Sequence, residues 1–101
     1  MTKVIFLVPA WEEMQEAARW YDDQEAGVGH EFLSEVDEAI DRLLFDPTAR
    51  PLAGRSVYRQ VVDRFPFDLL YRIGTEQIEI VAVSHHRRKP GYWHHRRHRE
   101  P

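Results

Sequence analysis

At 101 residues with no cysteine, the chain has room for one domain with a single core, and it has neither disulfides nor thiolate metal ligands. Its hydrophobic fraction of 43% is typical of a globular chain, and no apolar run approaches the ~18 residues that span a membrane. The apolar stretch 3–8 is too short for a secretory signal and is soon followed by Glu12 and Glu13, so a cytoplasmic protein is expected.

The net charge of −3 conceals a strong asymmetry along the chain. Between residues 9 and 46, twelve Asp or Glu stand against two Arg, a balance of −10. Between residues 85 and 101, six Lys or Arg stand against one Glu, a balance of +5, with five histidines besides. This asymmetry favours two surfaces with different partners. For the acidic half, an ordinary solvated helix face explains the pattern equally well.

The first half of the chain has the pattern of one strand and two helices. The apolar run 3–8 predicts a short strand, and Pro9 suits the first turn of a helix over 9–24. The apolar residues of that helix, spaced by three and four, are Trp11, Met14, Ala18 and Tyr21, which we expect to face the core. Gly27 and Gly29 break it, and a second helix over 30–45 has an unbroken 3.6-residue apolar stripe. The short link predicts a helical hairpin.

The second half has the pattern of an antiparallel meander. A loop over 47–54 precedes strands predicted at 56–62, 67–73 and 77–84, with Ile78, Ile80 and Ala82 on one face of the last. The predicted fold is α+β with the order β-α-α-β-β-β, a helical hairpin packed on one face of a mainly antiparallel four-stranded sheet. We expect a single domain over 1–93 and a basic His/Arg-rich tail over 94–101.

The stretch 85–93 places two imidazoles, three cations, a phenol and an indole directly after a buried strand. A strand that ends in such a run holds those side chains at the rim of a sheet, where anionic partners can reach them. We therefore expect the functional end of the molecule here, with the rest of the chain as its scaffold.

The order of elements and several blocks of residues together resemble the RelE/ParE superfamily of toxins from bacterial type II toxin–antitoxin modules. The resemblance covers about nine tenths of the chain, and the matching blocks are Ala17–Tyr21, Gly27–Gly29, Phe32–Val36, Arg64–Arg72 and Ala82–Trp93. The last block is similar to the family ending His-x-x-Arg-x-Pro-x-x-Trp, with His85, Arg88, Pro90 and Trp93 in the family positions.

The resemblance implies a toxin held inactive by a cognate antitoxin whose extended or helical tail wraps around it. Some members cut messenger RNA on the ribosome, whereas the ParE branch inhibits DNA gyrase. The ending here is closer to that of ParE-like plasmid-stabilisation proteins. The nuclease branch usually has a high positive charge and a lysine-rich stretch before the second strand, but this chain is negative and has no lysine between 47 and 64. The first hypothesis is a growth inhibitor that binds DNA gyrase or related topology machinery. The second is a RelE-like mRNA endonuclease, and the third is an inactive interaction module.

Two sets of candidate residues follow from these readings. RNA cleavage by its own 2′-hydroxyl needs an acid or base and cations for the phosphate, and the candidates are His85, Arg64, Arg88 and Tyr92. A structural interpretation stays open, in which His85 caps a strand and Arg88 pairs with a helix carboxylate. For a binding inhibitor, the predicted target-binding residues are Arg59, Arg87, Arg88, Lys89, Trp93 and Arg96.

The histidines do not have the pattern of a metal site. Adjacent His85 and His86 point to opposite faces of a strand, and pairing His94 or His95 with His98 gives an incomplete ligand set. Neither a glycine-rich phosphate loop nor an acidic metal-binding pair is present, so we predict no metal and no cofactor. Trp93 is expected to pin the tail onto the sheet rather than to stack on a nucleotide.

Overall fold

A five-stranded mixed sheet with two helices on one face forms the protein. The computed structural model describes residues 2–97. The strands are β1 (Lys3–Phe6), β2 (Leu52–Gly54), β3 (Val57–Val62), β4 (Phe67–Gly74) and β5 (Gln77–His85), and the helices are α1 (Val8–Gln24) and α2 (Val28–Phe45). The strand order is β1-β5-β4-β3-β2. β1 runs parallel to β5, and the other neighbours pair antiparallel.

The predicted class and helical hairpin are confirmed, but the count of four strands is wrong. The fifth strand, β2, lies inside the stretch 47–54 that the sequence predicts as a loop, after a short 3-10 helix at Pro47–Ala49. It has three residues, and its pairing with β3 is interrupted by a register shift. So short and irregular a strand has no alternation from which the sequence could predict it.

The main core lies between the helices and the sheet. Both helices were predicted within two residues at each end. The apolar stripe of α2 is buried at Phe32, Val36, Ala39 and Leu43. In the described part of the chain, neither helix is apolar enough over a sufficient length to cross a membrane.

Trp11 of α1 is not a core residue, contrary to the prediction. It is 49% exposed, whereas Met14 and Ala18 of the same stripe are buried. The indole lies edge-on to Phe6 of the edge strand β1, with ring centroids 5.5 Å apart, at the margin of the core. The fully buried position in the first turn is taken by Ala10 instead.

The junction between the helices depends on glycine. Gly27 precedes α2 with a φ of 92°, a left-handed conformation that favours glycine. The Oδ1 of Asp22 accepts hydrogen bonds from the N–H groups of Gly27 and Gly29, at 3.2 and 2.7 Å. A Cβ on Gly29 would overlap the main-chain oxygen of Ala18. The two helices therefore meet closely here, and α2 begins at Val28 rather than at the predicted His30.

The sheet also has a smaller core on the face away from the helices. This outer cluster consists of Leu7, Val57, Leu70, Val81, Ala82 and Trp93, with Tyr92 packed against it. Trp93 is 6% exposed, and a Cβ on Gly54 would lie 2.9 Å from the Cη2 of Trp93. The indole packs onto this face of the sheet, as predicted.

A β-bulge in β5 reverses the faces of its last residues. Tyr71 pairs with Ile80 and Leu70 pairs with Ala82, so Val81 is an extra residue. Ala82 therefore lies in the outer cluster and not beside Ile80 as predicted. Beyond the bulge, Val83 faces the helices, and so does His85 two residues on.

Candidate interaction site at the end of strand β5

After β5 the chain folds back on itself as a series of tight turns, which we call the C-terminal segment (residues 86–97). The turns are closed by backbone hydrogen bonds such as Arg88 N–H to His85 O at 3.0 Å and Arg96 N–H to Trp93 O at 2.9 Å. The segment contains five Lys or Arg and no Asp or Glu. Four of the five cations are exposed, namely Arg87, Arg88, Lys89 and Arg97.

The fifth cation, Arg96, is bound to Glu13 of α1. Its Nη1 donates to Oε1 of Glu13 at 2.8 Å and its Nη2 donates to Oε2 at 3.0 Å, a bidentate pair. The Tyr92 hydroxyl also donates to Oε2, at 2.7 Å, and the Val83 N–H donates to Oε1 at 3.0 Å. The side chains of Arg96 and Glu13 are 11% and 15% exposed, so the pair is largely shielded from water.

The pKa values of Tyr92 and Arg96, the two side chains that bind Glu13, reflect this burial. Burial, together with its hydrogen bond to Glu13, raises the pKa of the Tyr92 phenol. Burial works to lower the pKa of the Arg96 guanidinium, but the hydrogen bonds and charge of Glu13 outweigh it, so that pKa is raised. The phenol therefore keeps its proton, and Arg96 keeps its charge.

Beside the Glu13–Arg96 pair lies an open pocket of about 570 Å³ between α1 and the end of β5. The pocket is lined from α1 by Glu13, Glu16, Ala17, Trp20 and Tyr21, and from the sheet side by Pro66, Phe67, Val83, His85 and Arg88. Trp20 at its rim is 58% exposed. One wall thus carries carboxylates and aromatic rings, and the opposite wall carries an imidazole and a guanidinium.

Two of the predicted catalytic residues, His85 and Arg88, line this pocket, and a third, Tyr92, lies beside it against Arg88. The His85 ring packs edge-on against Phe67 with centroids 5.0 Å apart, and its Nδ1 accepts the Arg87 N–H at 3.0 Å. The Arg88 guanidinium lies over the Tyr92 ring at 3.8 Å, and Arg96 lies 5.0 Å from the same ring centroid. Glu13, a helix carboxylate of the pocket lining, is bound to Arg96, and Arg88 lies against the Tyr92 ring.

The predicted residues Arg64 and Arg59 lie outside the pocket lining. Arg64 is in the turn between β3 and β4, with a φ of 71°. Its Nη atoms donate to Glu31 at 2.8 Å and to Glu35 at 3.4 Å, both on α2. Arg59 is exposed on β3, on the same face as its pairing partner Leu70 of the outer cluster. The predicted residues therefore do not form one site. His85, Arg88 and Tyr92 lie at or beside the pocket, whereas Arg64 lies against α2 and Arg59 lies on the outer face of the sheet.

The predicted tail over 94–101 is divided by the structure. Residues 94–97 belong to the C-terminal segment, and Arg96 is one of its anchors. His98, with the rest of 98–101, lies outside the described residues, so the predicted pairing of His98 with His94 or His95 lies outside them too. Within residues 2–97, no three His, Asp or Glu side chains are grouped to hold a metal ion.

Sequence reasoning missed Glu13 and Trp20 as site residues. Glu13 is 83 positions from Arg96, and nothing local distinguishes it from its neighbour Glu12. Trp20 did give a signal, because a tryptophan lay off the predicted core stripe of α1. With Glu13, Glu16 and Ala17, it forms a second face of the helix at spacings of three and four.

The comparison with known proteins identifies the class. Residues 4–90 match the family described as "ParE toxin of type II toxin-antitoxin system, parDE". The chain belongs to the ParE toxin family. A chain of the solved structure titled "Chromosomal ParDE TA system from P. aeruginosa" has the same fold, with a TM-score of 0.74. It is 16% identical, and the match covers 84% of this chain and 96% of that chain. No curated protein matches the sequence significantly.

Proposed function

We propose that this ParE-family protein inhibits growth by binding DNA gyrase or related topology machinery in the cytoplasm, and that a cognate antitoxin neutralises it. The observation that carries the mechanism is the C-terminal segment, whose cations Arg87, Arg88 and Lys89 are exposed while its fold is tied down at Trp93 and Arg96. Exposed charge on a fixed framework favours recognition of an acidic or polyanionic surface.

The bonding of the candidate catalytic residues supports binding rather than catalysis. Arg64 is ion-paired to two carboxylates of α2, which compete with any substrate phosphate. The Tyr92 hydroxyl donates to Glu13, and the pKa of the phenol is raised, so it is a poor proton donor to a leaving oxygen. A nuclease site would need both groups to be rearranged.

Several features of α1 favour an antitoxin as the second partner. Val8 and Trp11 are 69% and 49% exposed, and Trp20, on the opposite side of α1 at the pocket, is 58% exposed. The pocket next to Trp20 offers Arg88 and His85 to an acidic group. A partner segment that brings apolar side chains and carboxylates would match Trp20 and the basic side of the pocket. The similar solved structure is, by its title, a toxin–antitoxin system.

One observation favours a second candidate function, an mRNA endonuclease. His85 and Arg88 line the same pocket, and Tyr92 lies under Arg88, so an imidazole, a cation and a stacking ring are close together. Such a site has the groups needed to hold a phosphate and move a proton at a 2′-hydroxyl. The two candidates differ in how strongly activity depends on one residue.

A series of single substitutions tests the proposed mechanism. We expect Arg87→Ala, Arg88→Ala and Lys89→Ala each to weaken growth inhibition modestly, because each removes one of several contacts to the target. His85→Ala is expected to retain most of the inhibition. The measurement is growth rate after induction at matched protein levels, with melting temperatures to confirm folding.

Arg19→Ala is the matched control, since it removes an exposed cation from α1 rather than from the C-terminal segment. We expect it to inhibit growth as the parent does. A folded His85→Ala protein that has lost ~10²-fold or more of its activity would contradict the proposal, because that steepness is typical of an acid–base catalyst.

A further inference from the structure

Near the pocket, backbone groups at the edge of β5 form hydrogen bonds with side chains instead of with a neighbouring strand. β1 pairs with β5 only as far as Ile80, and the last five residues of β5 extend beyond it. Along this edge the Val83 N–H donates to Glu13, and the Val81 carbonyl accepts from Nη1 of Arg96 at 3.1 Å. The Glu13–Arg96 pair therefore bonds to β5 and to the C-terminal segment at once.

Glu13 connects the parts of this region that are distant in sequence. Its two oxygens accept one hydrogen bond from β5, one from Tyr92 and two from Arg96. A largely buried cation and two other donors thus depend on one carboxylate. Removing one partner of such a pair leaves the other charge without compensation, which is far more costly than losing an exposed ion pair.

The same carboxylate determines where exposed cations lie. Tyr92, fixed by its bond to Glu13, forms the ring over which Arg88 lies at 3.8 Å. Arg96, fixed by the same carboxylate, immediately precedes exposed Arg97, and its main-chain oxygen accepts from Arg72 at 3.0 Å. The positions of the basic side chains on both sides of Trp93 therefore depend on Glu13.

We infer that Glu13 is the positioning residue of this toxin, which holds the C-terminal segment in the one shape that presents its cations to the target. This inference rests on the proposed function for what the segment does. The attachment of the C-terminal segment by Glu13 is a property of the fold, and it can be measured by hydrogen exchange without the target. Glu13 touches no target in this account and acts through Tyr92 and Arg96.

Glu13→Gln in the full chain tests the inference, because glutamine keeps the size of the side chain and removes its charge. We expect amide hydrogen exchange at Val83 and across 86–97 to become roughly tenfold faster or more, while α2, β3 and β4 exchange as in the parent. Growth inhibition should fall by at least as much as on loss of one exposed cation. A merely structural role would instead accelerate exchange throughout the domain.

Glu12→Gln is the matched control, since it makes the same charge change at the exposed neighbouring residue of α1. It should leave exchange and inhibition unchanged. Tyr92→Phe is the milder variant in case Glu13→Gln does not fold. It removes one of the four hydrogen bonds to Glu13 and keeps the ring under Arg88, and it should accelerate the same amides by a smaller factor.

Unchanged exchange over 86–97 in both Glu13→Gln and Tyr92→Phe would overturn the inference. So would a segment that opens in Glu13→Gln while growth inhibition stays at the parent level. A parent chain that inhibits no growth would contradict the proposed function instead, and the exchange data would still decide whether Glu13 holds the segment.

Discussion

Leu43→Asp is expected to lose more than about 4 kcal/mol of unfolding free energy. Leu43 is the last buried residue of the α2 stripe and is 0% exposed. The substitution leaves a cavity in the main core and places an unpaired carboxylate in it, so the packing of α2 on the sheet is disrupted. The loss is comparable to the whole stability of a marginal domain, about 5 kcal/mol. Circular dichroism with urea titration should therefore show a largely unfolded chain at room temperature.

Phe45→Asp is the matched control for Leu43→Asp. Phe45 is two residues further along α2 and is 91% exposed, so the same change there removes little buried surface. We expect its unfolding free energy to stay within about 0.5 kcal/mol of the parent value. If the Leu43→Asp protein melted as the control does, the helix layer would not pack on the sheet as described.

Trp93→Ala is expected to lose ~3–5 kcal/mol, since the indole is the largest member of the outer cluster. The loss should be accompanied by opening of the C-terminal segment, because Trp93 and Arg96 are two of its attachments to the rest of the domain. Growth inhibition should fall more than in any single cation variant. Urea unfolding, together with growth rate after induction, measures both effects.

Trp20→Ala makes the same chemical change at a tryptophan that is 58% exposed. It should cost about 1 kcal/mol or less of unfolding free energy, as expected for a mostly solvated side chain. A Trp93→Ala protein as stable as this control would show that the outer cluster does not hold the C-terminal segment.

The parts of the fold that were predictable from the sequence are those with a local pattern. The apolar stripe of α2 and the glycine-rich junction at residues 27–29 fix the helical hairpin, because their periodicity and backbone requirements act over a few residues. The alternation of Phe67, Leu69 and Tyr71 likewise predicts the inner face of β4. These signals are sufficient for the class and the order of elements.

The remaining features depend on contacts that the local sequence does not specify. Ile80 to Val83 is a continuous apolar run, and it fits a regular strand as well as a bulged one. The bulge at Val81 nevertheless decides that His85 faces the pocket. The Glu13–Arg96 pair joins residues 83 positions apart, and only the folded arrangement of α1 and β5 brings them together.

The candidate site was predictable in place but not in its internal arrangement. The run 85–93 predicts a basic rim at the end of β5, and Arg87, Arg88 and Lys89 are exposed there. The assignment of partners was not predictable, because several cations and many carboxylates are compatible by charge alone. Arg64 and Arg96 are both ion-paired, but one is exposed at α2 and the other is enclosed at α1.

The most direct test of the account is to induce the chain in bacterial cells and to follow plasmid supercoiling and messenger RNA integrity in the same culture. We predict loss of supercoiling as growth stops, with messenger RNA intact at that time and with both supercoiling and growth restored when the cognate antitoxin is expressed. Ribosome-dependent cuts in messenger RNA at unchanged supercoiling, seen with the parent and not with folded His85→Ala, would contradict it.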